Sequence, residues 1–372
     1  MPKPSTKRLY FIPILSKSLD VLETLQKSEE PMSLETVFQR THISKTTVYR
    51  ILKTLVHRGY LAQSPEGLYR VAARPRKVCF GLAQQSPRAA FCEAVRASLE
   101  DASKQAGVEL LVFENRFEQP AAVQIAEELI RSRVDLVIEF LINPEVAPVI
   151  ADRIARAGIP LIGVGATHPH STYFGVDNFR AGMDAGTLLA EYAIEQWNYK
   201  VDSVLALDVE GNGTLIRSRA TGAFQGILSR LPEIPGEKFV RLDGRGSREA
   251  SRSVLIEFLQ RHPKDRHILI AAATDASALG ALDGARVLKR EKHVALVGQE
   301  CIPEALEEMK RENSPWVGSV SYEIATYGPR LIQLGLSLLR GAAVSPYNFV
   351  DHRVITAKAL RSAELAAAAA PN

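Results

Sequence analysis

The sequence predicts a mixed α/β chain: a small three-helix domain closed by a hairpin, followed by two doubly wound α/β lobes. Three observations predict it. Apolar residues in the first seventy positions follow helical spacing, whereas beyond residue 77 continuous apolar runs alternate with helix-period segments. That alternation occurs twice, in two similar halves. Charge is also segregated: residues 1–77 hold 14 Lys/Arg and 6 Asp/Glu, a balance of +8, while the other 295 residues hold 32 and 36, a balance of −4. A basic domain on a mildly acidic one implies that only the first meets a polyanion. With 372 residues, 46% hydrophobic and 24% charged, the chain has the composition of a folded globular protein and room for two or three domains.

In the first domain (residues 1–72), Leu15, Leu19, Leu22 and Leu25 recur at helical spacing, and Ser16 is placed to cap a first helix. Ser33 is expected to cap a second helix, LETVFQR, with Glu35 in its first turn and Leu34, Val37 and Phe38 buried. After the turn THI, Ser44 is expected to cap a third helix, KTTVYRILKTLVHR. Its inward stripe is Val48, Ile51, Leu52, Leu55 and Val56, and Gly59 ends it. GYLAQ and GLYRV read as two short strands, with Pro65 and Gly67 supplying the turn between them. This is the order of a winged helix-turn-helix. With the stripe turned inward, Ser44, Lys45, Thr46, Thr47, Tyr49, Arg50 and Lys53 are left open as candidate DNA contacts. Short hydroxylated side chains in the first turn allow close approach to a major groove, and Arg and Lys supply donors for guanine edges and phosphates.

The stretch SLDVLETLQKSEEPMSLETVFQRTHISKTTVYRILKTLVHRGYLAQSPEGLYRV resembles the N-terminal winged helix of isocitrate-lyase-regulator (IclR) type transcription factors, over roughly residues 14–71. Its specific parts are ISKTTVYRILKTLVHRGYL and SPEGLYRV. The resemblance implies that Lys45, Thr46, Thr47, Tyr49 and Arg50 face bases or phosphates, and that Ser64, Glu66 and Gly67 lie in the wing.

The basic segment AARPRK ends at Lys77, and residues 73–77 are read as a linker. Beyond it KVCFGLAQ, ELLVFE, DLVIEFLI and PLIGVGA, then SVLALDVE, KFVRLD, HILIAAAT and HVALVGQE, read as parallel strands covered on both faces. Helices are expected near 89–105, 120–131 and 144–157, then near 217–231, 247–261, 276–289 and 302–310. The two lobes would occupy about 78–175 and 200–320 of a domain spanning 78–362, followed by a flexible tail at 363–372. A ligand cleft should open where the strand carboxyl ends meet.

Cleft residues must therefore lie just after strands. The candidates are Arg88 (behind Gln84, Gln85, Ser86 and Pro87), Phe91, His168, Asp177 beside Asn178, Arg219, Asp275, and Glu300 beside Gln299. Carboxylate, amide and guanidinium groups around an aromatic face suit a polyhydroxylated ligand, whose hydroxyls need paired donors and acceptors. An aspartate after a strand also serves as a helix cap, the purely structural reading of Asp177 and Asp275. From about Lys77 to Leu360 the chain resembles the type 1 ligand-binding module shared by ribose-type periplasmic sugar-binding proteins and lac-repressor-type regulators. The stretches that carry the resemblance are GVDNFRAG, RSRATGAFQGI, ATDASALGALDGAR and GSVSYEIATYGPRLIQLGLSLLRG. It implies that Arg219, of the Arg219-Ala-Thr-Gly222 element, and Asp275 bond ligand hydroxyls. Two features depart from it. Gly165-Ala166-Thr167-His168 stands where ribose-type proteins carry an Asp-Arg pair, and the short linker has no room for a minor-groove hinge helix.

The chain has no G-x-S-x-G, G-x-x-x-x-G-K-[ST] or H-E-x-x-H element. VEGNGT reads as a strand-to-helix turn rather than a phosphate cradle, and His168 and His170 have no neighbouring Cys or carboxylate cluster. The sequence therefore predicts no enzyme, no metal and no cofactor. Cys79, Cys92 and Cys301 form an odd set without metal-type spacing and read as reduced thiols. No apolar run is long enough to span a membrane, and MPKPSTKRLYFIPIL lacks the features of a signal peptide, so a cytoplasmic protein is expected. The reading as a whole is a homodimeric, ligand-responsive transcriptional repressor that binds a double-stranded DNA operator and a sugar-like effector. The alternative is a solute-binding receptor for transport or chemotaxis.

Overall fold

The computed structural model describes residues 12–28, 30–72, 77–84, 90–116, 118–140 and 145–369. The chain divides into two compact units, Met1–Lys77 and Val78–Asn372. The first contains helices α1 (Pro13–Gln26), α2 (Leu34–Thr41) and α3 (Lys45–His57), then strands β1 (Leu61–Gln63) and β2 (Tyr69–Val71). The strands pair antiparallel with Leu61 opposite Val71. Val21, Leu25, Val37, Val48, Ile51, Leu52, Leu61 and Tyr69 form the core.

Ser33 caps α2, its side chain accepting the Thr36 N–H at 3.1 Å. Three details of this unit differ from the sequence reading. Ser16 caps nothing: α1 begins at Pro13, whose missing N–H suits a first turn, with Ile12 at the cap position. Ser44 holds the cap position of α3, but its hydroxyl bonds the Thr47 hydroxyl at 2.8 Å and no backbone N–H. Leu15 and Leu19 are 54% and 48% exposed, because Val21 and Leu25 set the buried face of α1.

The second unit begins with β3 (Cys79–Gln84), α4 (Ala90–Ala106), β4 (Glu109–Glu114), α5 (Gln119–Arg131), β5 (Leu136–Phe140), α6 (Ala147–Arg156), β6 (Leu161–Val164) and β7 (Thr172–Val176). The chain then crosses to a second lobe. This lobe holds α7 (Asn178–Trp197), β8 (Ser203–Asp208), α8 (Gly213–Arg230), β9 (Phe239–Asp243), α9 (Arg248–Arg261), β10 (Ile268–Ala272), α10 (Asp275–Val287), β11 (Val294–Gln299), α11 (Pro303–Lys310) and β12 (Trp316–Ser321). It returns for α12 (Tyr327–Leu339) and β13 (Tyr347–Val350), then crosses back for β14 (Arg353–Thr356) and α13 (Ala357–Ala369). The first sheet has the order β13-β7-β6-β5-β3-β4 and is parallel throughout. The second has the order β14-β12-β11-β10-β8-β9 and is parallel except where β14 runs against β12. The central strands β3, β5, β8, β10 and β11 are buried on both faces, as their unbroken apolar runs require.

Because of these crossings the lobes are not the contiguous spans 78–175 and 200–320. The first lobe takes α12 and β13 from the end of the chain, and the second includes α7, β14 and α13. Residues 363–369 of the expected flexible tail continue α13. VEGNGT is a short helical turn leading into α8.

The helices α7 and α8 approach each other closely enough for backbones to touch. A Cβ added at Gly182 or Gly186 of α7 would lie 2.1 Å from the Arg219 carbonyl oxygen or 2.0 Å from that of Ala223. One at Gly222 or Gly226 of α8 would lie 2.1 Å from the Phe179 carbonyl oxygen or 2.2 Å from that of Met183. Four glycines, two per helix at i and i+4, thus set the position of α8 and of the Arg219 side chain it carries.

Candidate functional site

Two sites follow from this fold. On α3, the buried stripe of Val48, Ile51 and Leu52 leaves Lys45, Thr46, Tyr49, Arg50 and Lys53 exposed and Thr47 half-buried. The cations differ in what already engages them. Lys45 Nζ is paired with Glu35 of α2 at 2.5 Å. Lys53 Nζ donates to Gln63 Oε1 of β1 at 2.8 Å and lies 5.8 Å from the centre of the Tyr49 ring, which ties the helix to the hairpin. Among the described residues, no ion pair or hydrogen bond engages the Arg50 guanidinium, so its donors point into solvent. In the hairpin, Glu66 receives a hydrogen bond from Ser64 that lowers its carboxyl pKa, and Gly67 (φ 83°) occupies the left-handed turn position.

The second site lies where the carboxyl ends of the two sheets meet. Arg219, in the second turn of α8, is its centre. Its Nε donates to Asn178 Oδ1 at 2.7 Å, one of its terminal nitrogens donates to the Ala273 carbonyl at 2.7 Å, and its guanidinium carbon lies 5.2 Å from the centre of the Tyr322 ring. Tyr322 is buried, and its hydroxyl donates to Gln299 Oε1. Phe91 of α4 sets its ring edge-on to Tyr322, Tyr327 and Phe140, at 5.9, 5.9 and 6.0 Å between centres. Glu300 follows β11 and faces Arg219. Burial raises its carboxyl pKa to about 7, against the lowering pull of the guanidinium. Glu300 also acts electrostatically on the Cys92 thiol of α4, which burial pushes up to about 12, so the two lobes meet at this carboxyl.

The structure thus brings together Phe91, Arg219 and Glu300 of the expected residues. Asp177 caps α7, its Oδ1 accepting the Arg180 N–H at 3.1 Å, and its neighbour Asn178 enters the cleft. Asp275 is fully buried, with one carboxylate oxygen on the Ser319 hydroxyl at 2.7 Å and the other on the Ile302 N–H at 2.9 Å. His168 turns under the first sheet: a Cβ on Gly163 would lie 2.8 Å from its Nδ1. Glu139 is the β5 partner of Gly163 in register and is also fully buried. Among the described residues the Glu139 carboxyl has no hydrogen-bond partner, and the His168 ring meets the Ala166 backbone, which only partly offsets its burial. Burial alone holds Glu139 well above the usual carboxylate range, and burial holds the His168 ring down to about 4. Gln85, Ser86, Pro87 and Arg88 lie outside the described residues. Tyr322 was missed in the sequence. It sits one residue past β12, where the rule of looking after strands would have found it had GSVSY been read as a strand.

Among the described residues, no group of three or more His, Cys, Asp or Glu could hold a metal ion, and no helix is long and apolar enough to cross a membrane. Residues 80–343 match the periplasmic binding protein domain family, and residues 14–65 match the IclR helix-turn-helix domain. No curated protein matches the chain. Similar solved structures include a periplasmic solute-binding protein of an ABC transporter from Actinobacillus succinogenes with bound D-allose (20% identity, TM-score 0.64, covering 77% of this chain and 100% of that one). A solute-binding protein from Bacillus halodurans with bound myo-inositol is 17% identical, with TM-score 0.66 over 79% of this chain and 99% of that one. A third, from Mycobacterium smegmatis with bound glycerol, is 18% identical, with TM-score 0.68 over 77% and 96%. Identities this low establish the shared fold. With its two parallel-sheet lobes and a match over most of its length, the chain belongs to the periplasmic binding protein domain family, and it carries an IclR helix-turn-helix domain ahead of that domain.

Proposed function

We propose that this protein is a cytoplasmic transcriptional repressor that acts as a homodimer and senses a sugar or polyol. The observation that carries the reading is the union, in one chain, of an exposed recognition helix with a free Arg50 and a polar and aromatic cluster around Arg219 where two lobes meet. A polyol in the cleft would exchange hydrogen bonds with Arg219, Asn178 and Glu300 while its C–H face lies on Phe91. Any ligand that binds one lobe arrangement better than another shifts the population between them. In a dimer, such a shift changes the spacing of two recognition helices and hence affinity for a two-fold operator. The neighbours with D-allose, myo-inositol and glycerol support a polyhydroxylated ligand class. They also fit a transport receptor, against which the helix-turn-helix domain weighs.

The test is selection of duplexes bound by the full-length protein from a random pool, followed by titration with a sugar and polyol panel. Affinity for the selected duplex is expected to fall steeply between 50 and 200 mM salt as phosphates are neutralised, and at least one panel member should change it tenfold or more. Failure to select any duplex, or a flat salt dependence, would favour the receptor.

A further inference from the structure

Where β11 turns into α11, two successive non-glycine residues occupy the left-handed region, Glu300 at φ 105° and Cys301 at φ 57°. Such backbone is costly for a residue with a Cβ and persists only where its surroundings over-determine it. Asp275 supplies that constraint. One of its oxygens accepts the Ile302 N–H at 2.9 Å. The other accepts the Ser319 hydroxyl at 2.7 Å, and Ser319 Oγ in turn accepts the Cys301 N–H at 3.3 Å. The two N–H groups that follow Glu300 are therefore held by one buried carboxyl, whose pKa burial raises well above the usual range, directly and through one hydroxyl. On the other side the Glu300 N–H donates to the Val320 carbonyl at 2.8 Å. Room for the clamp comes from Gly298, where a Cβ would lie 2.1 Å from Asp275 Oδ1. With its backbone fixed on both sides, Glu300 presents its carboxyl to the groups around it, Arg219, Tyr322, Tyr327, Cys92 and the carboxyl of Asp275 itself.

We propose that Asp275 is a positioning residue of the cleft rather than a ligand contact: it clamps the left-handed Glu300–Cys301 turn, and the clamp is what holds the Glu300 carboxyl beside Arg219. The proposal rests on the reading of the cleft as the ligand site, but its test needs no ligand. The readout is the titration of the Glu300 carboxyl, followed by carbon-13 NMR of the full-length protein with labelled glutamate and assigned by the loss of one signal in Glu300→Gln.

In the native chain this titration is expected near 7, where burial places it. Asp275→Ala should release the turn and lower it by about two pH units, toward an ordinary glutamate. Asp275→Asn keeps an acceptor for Ile302 and a group for Ser319, so it should titrate like the native chain, which separates the clamp from a simple effect of charge. Cys301→Gly adopts the left-handed region without strain and should restore the native titration in the Asp275→Ala background. An unmoved titration in Asp275→Ala overturns the proposal, and so does a folded Asp275→Ala/Cys301→Gly chain that stays shifted. If Asp275→Ala does not fold, Ser319→Ala carries the test: a smaller shift in the same direction, reversed by Cys301→Gly, supports the clamp, and no shift overturns it. A sugar panel that finds no ligand would remove the cleft's proposed role and leave this measurement standing.

Discussion

The Arg219 guanidinium lies over the Tyr322 ring, 5.2 Å from its centre, while its nitrogens donate to Asn178 and to the Ala273 carbonyl. A planar cation can stack and donate in two directions at once, and an ammonium cannot. Arg219→Lys should therefore strip the site of its organiser. Loss of the bond to the buried Asn178 side chain should cost about 1–3 kcal/mol of stability, read by urea denaturation, and the DNA response to effector should disappear. A retained response would remove Arg219 from the ligand site.

On the recognition helix, Arg50→Ala should weaken operator binding by about 1–3 kcal/mol if the free guanidinium reads a base edge. Lys45→Ala should cost less, because Glu35 already engages that ammonium at 2.5 Å. Gel-shift titrations of the two variants side by side check the order. Equal losses would show that the Glu35 pair opens on DNA.

Gly186→Ala should destabilise the second unit by about 1–3 kcal/mol or more, since its methyl would meet the Ala223 carbonyl at 2.0 Å and neither helix backbone can give way cheaply. Gly182→Ala meets the Arg219 carbonyl itself and should also impair the effector response. Denaturation curves and effector titrations on the same variants separate the two effects.

Glu139 and His168 should give opposite pH dependences. The folded chain keeps the His168 ring neutral down to about 4, whereas the unfolded chain protonates near the ordinary histidine value of 6.5. Stability is therefore lost as pH falls through that window, by on the order of 3 kcal/mol for this group. Glu139 keeps its proton when folded and loses it near 4.5 when unfolded. Its contribution is present at low pH and lost as pH rises. His168→Asn should flatten the acid side of a stability profile measured by urea denaturation from pH 4 to 8, and Glu139→Gln should raise stability at the alkaline end. Parallel profiles for native and His168→Asn chains would contradict the assignment.

Much of the fold was legible because burial on both faces leaves a direct mark on a strand. HVALVGQE and HILIAAAT contain the buried β11 and β10, whereas ELLVFE and KFVRLD, expected to be covered on both faces, are the partly exposed edge strands β4 and β9. The long helix α7 was not read, because its buried face is Asn178, Ala181, Gly182, Ala185, Gly186, Leu189, Ala190 and Ala193, with a single large apolar side chain rather than a stripe of them. Close backbone packing against α8 selects small residues, which carry little periodic hydrophobic signal. Leu15 and Leu19 show the converse, a correct period whose face is not the buried one. In the cleft, position after a strand pointed to Glu300, and the Arg219-Ala-Thr-Gly222 element pointed to Arg219. What Asp275 and His168 touch depends on Ser319 and Gly163, partners that sequence spacing does not bring together.

The sheet that opens with β3 at Cys79–Gln84 is closed at its far edge by β13 at Tyr347–Val350. A ribosome delivers a chain from its N-terminus, and domains fold as their residues emerge. The helix-turn-helix unit is complete once Val71 has appeared, while the first lobe waits for its last strand until Val350. Synthesis interrupted before Tyr347 would thus leave a complete helix-turn-helix unit joined to a first sheet that lacks its edge strand.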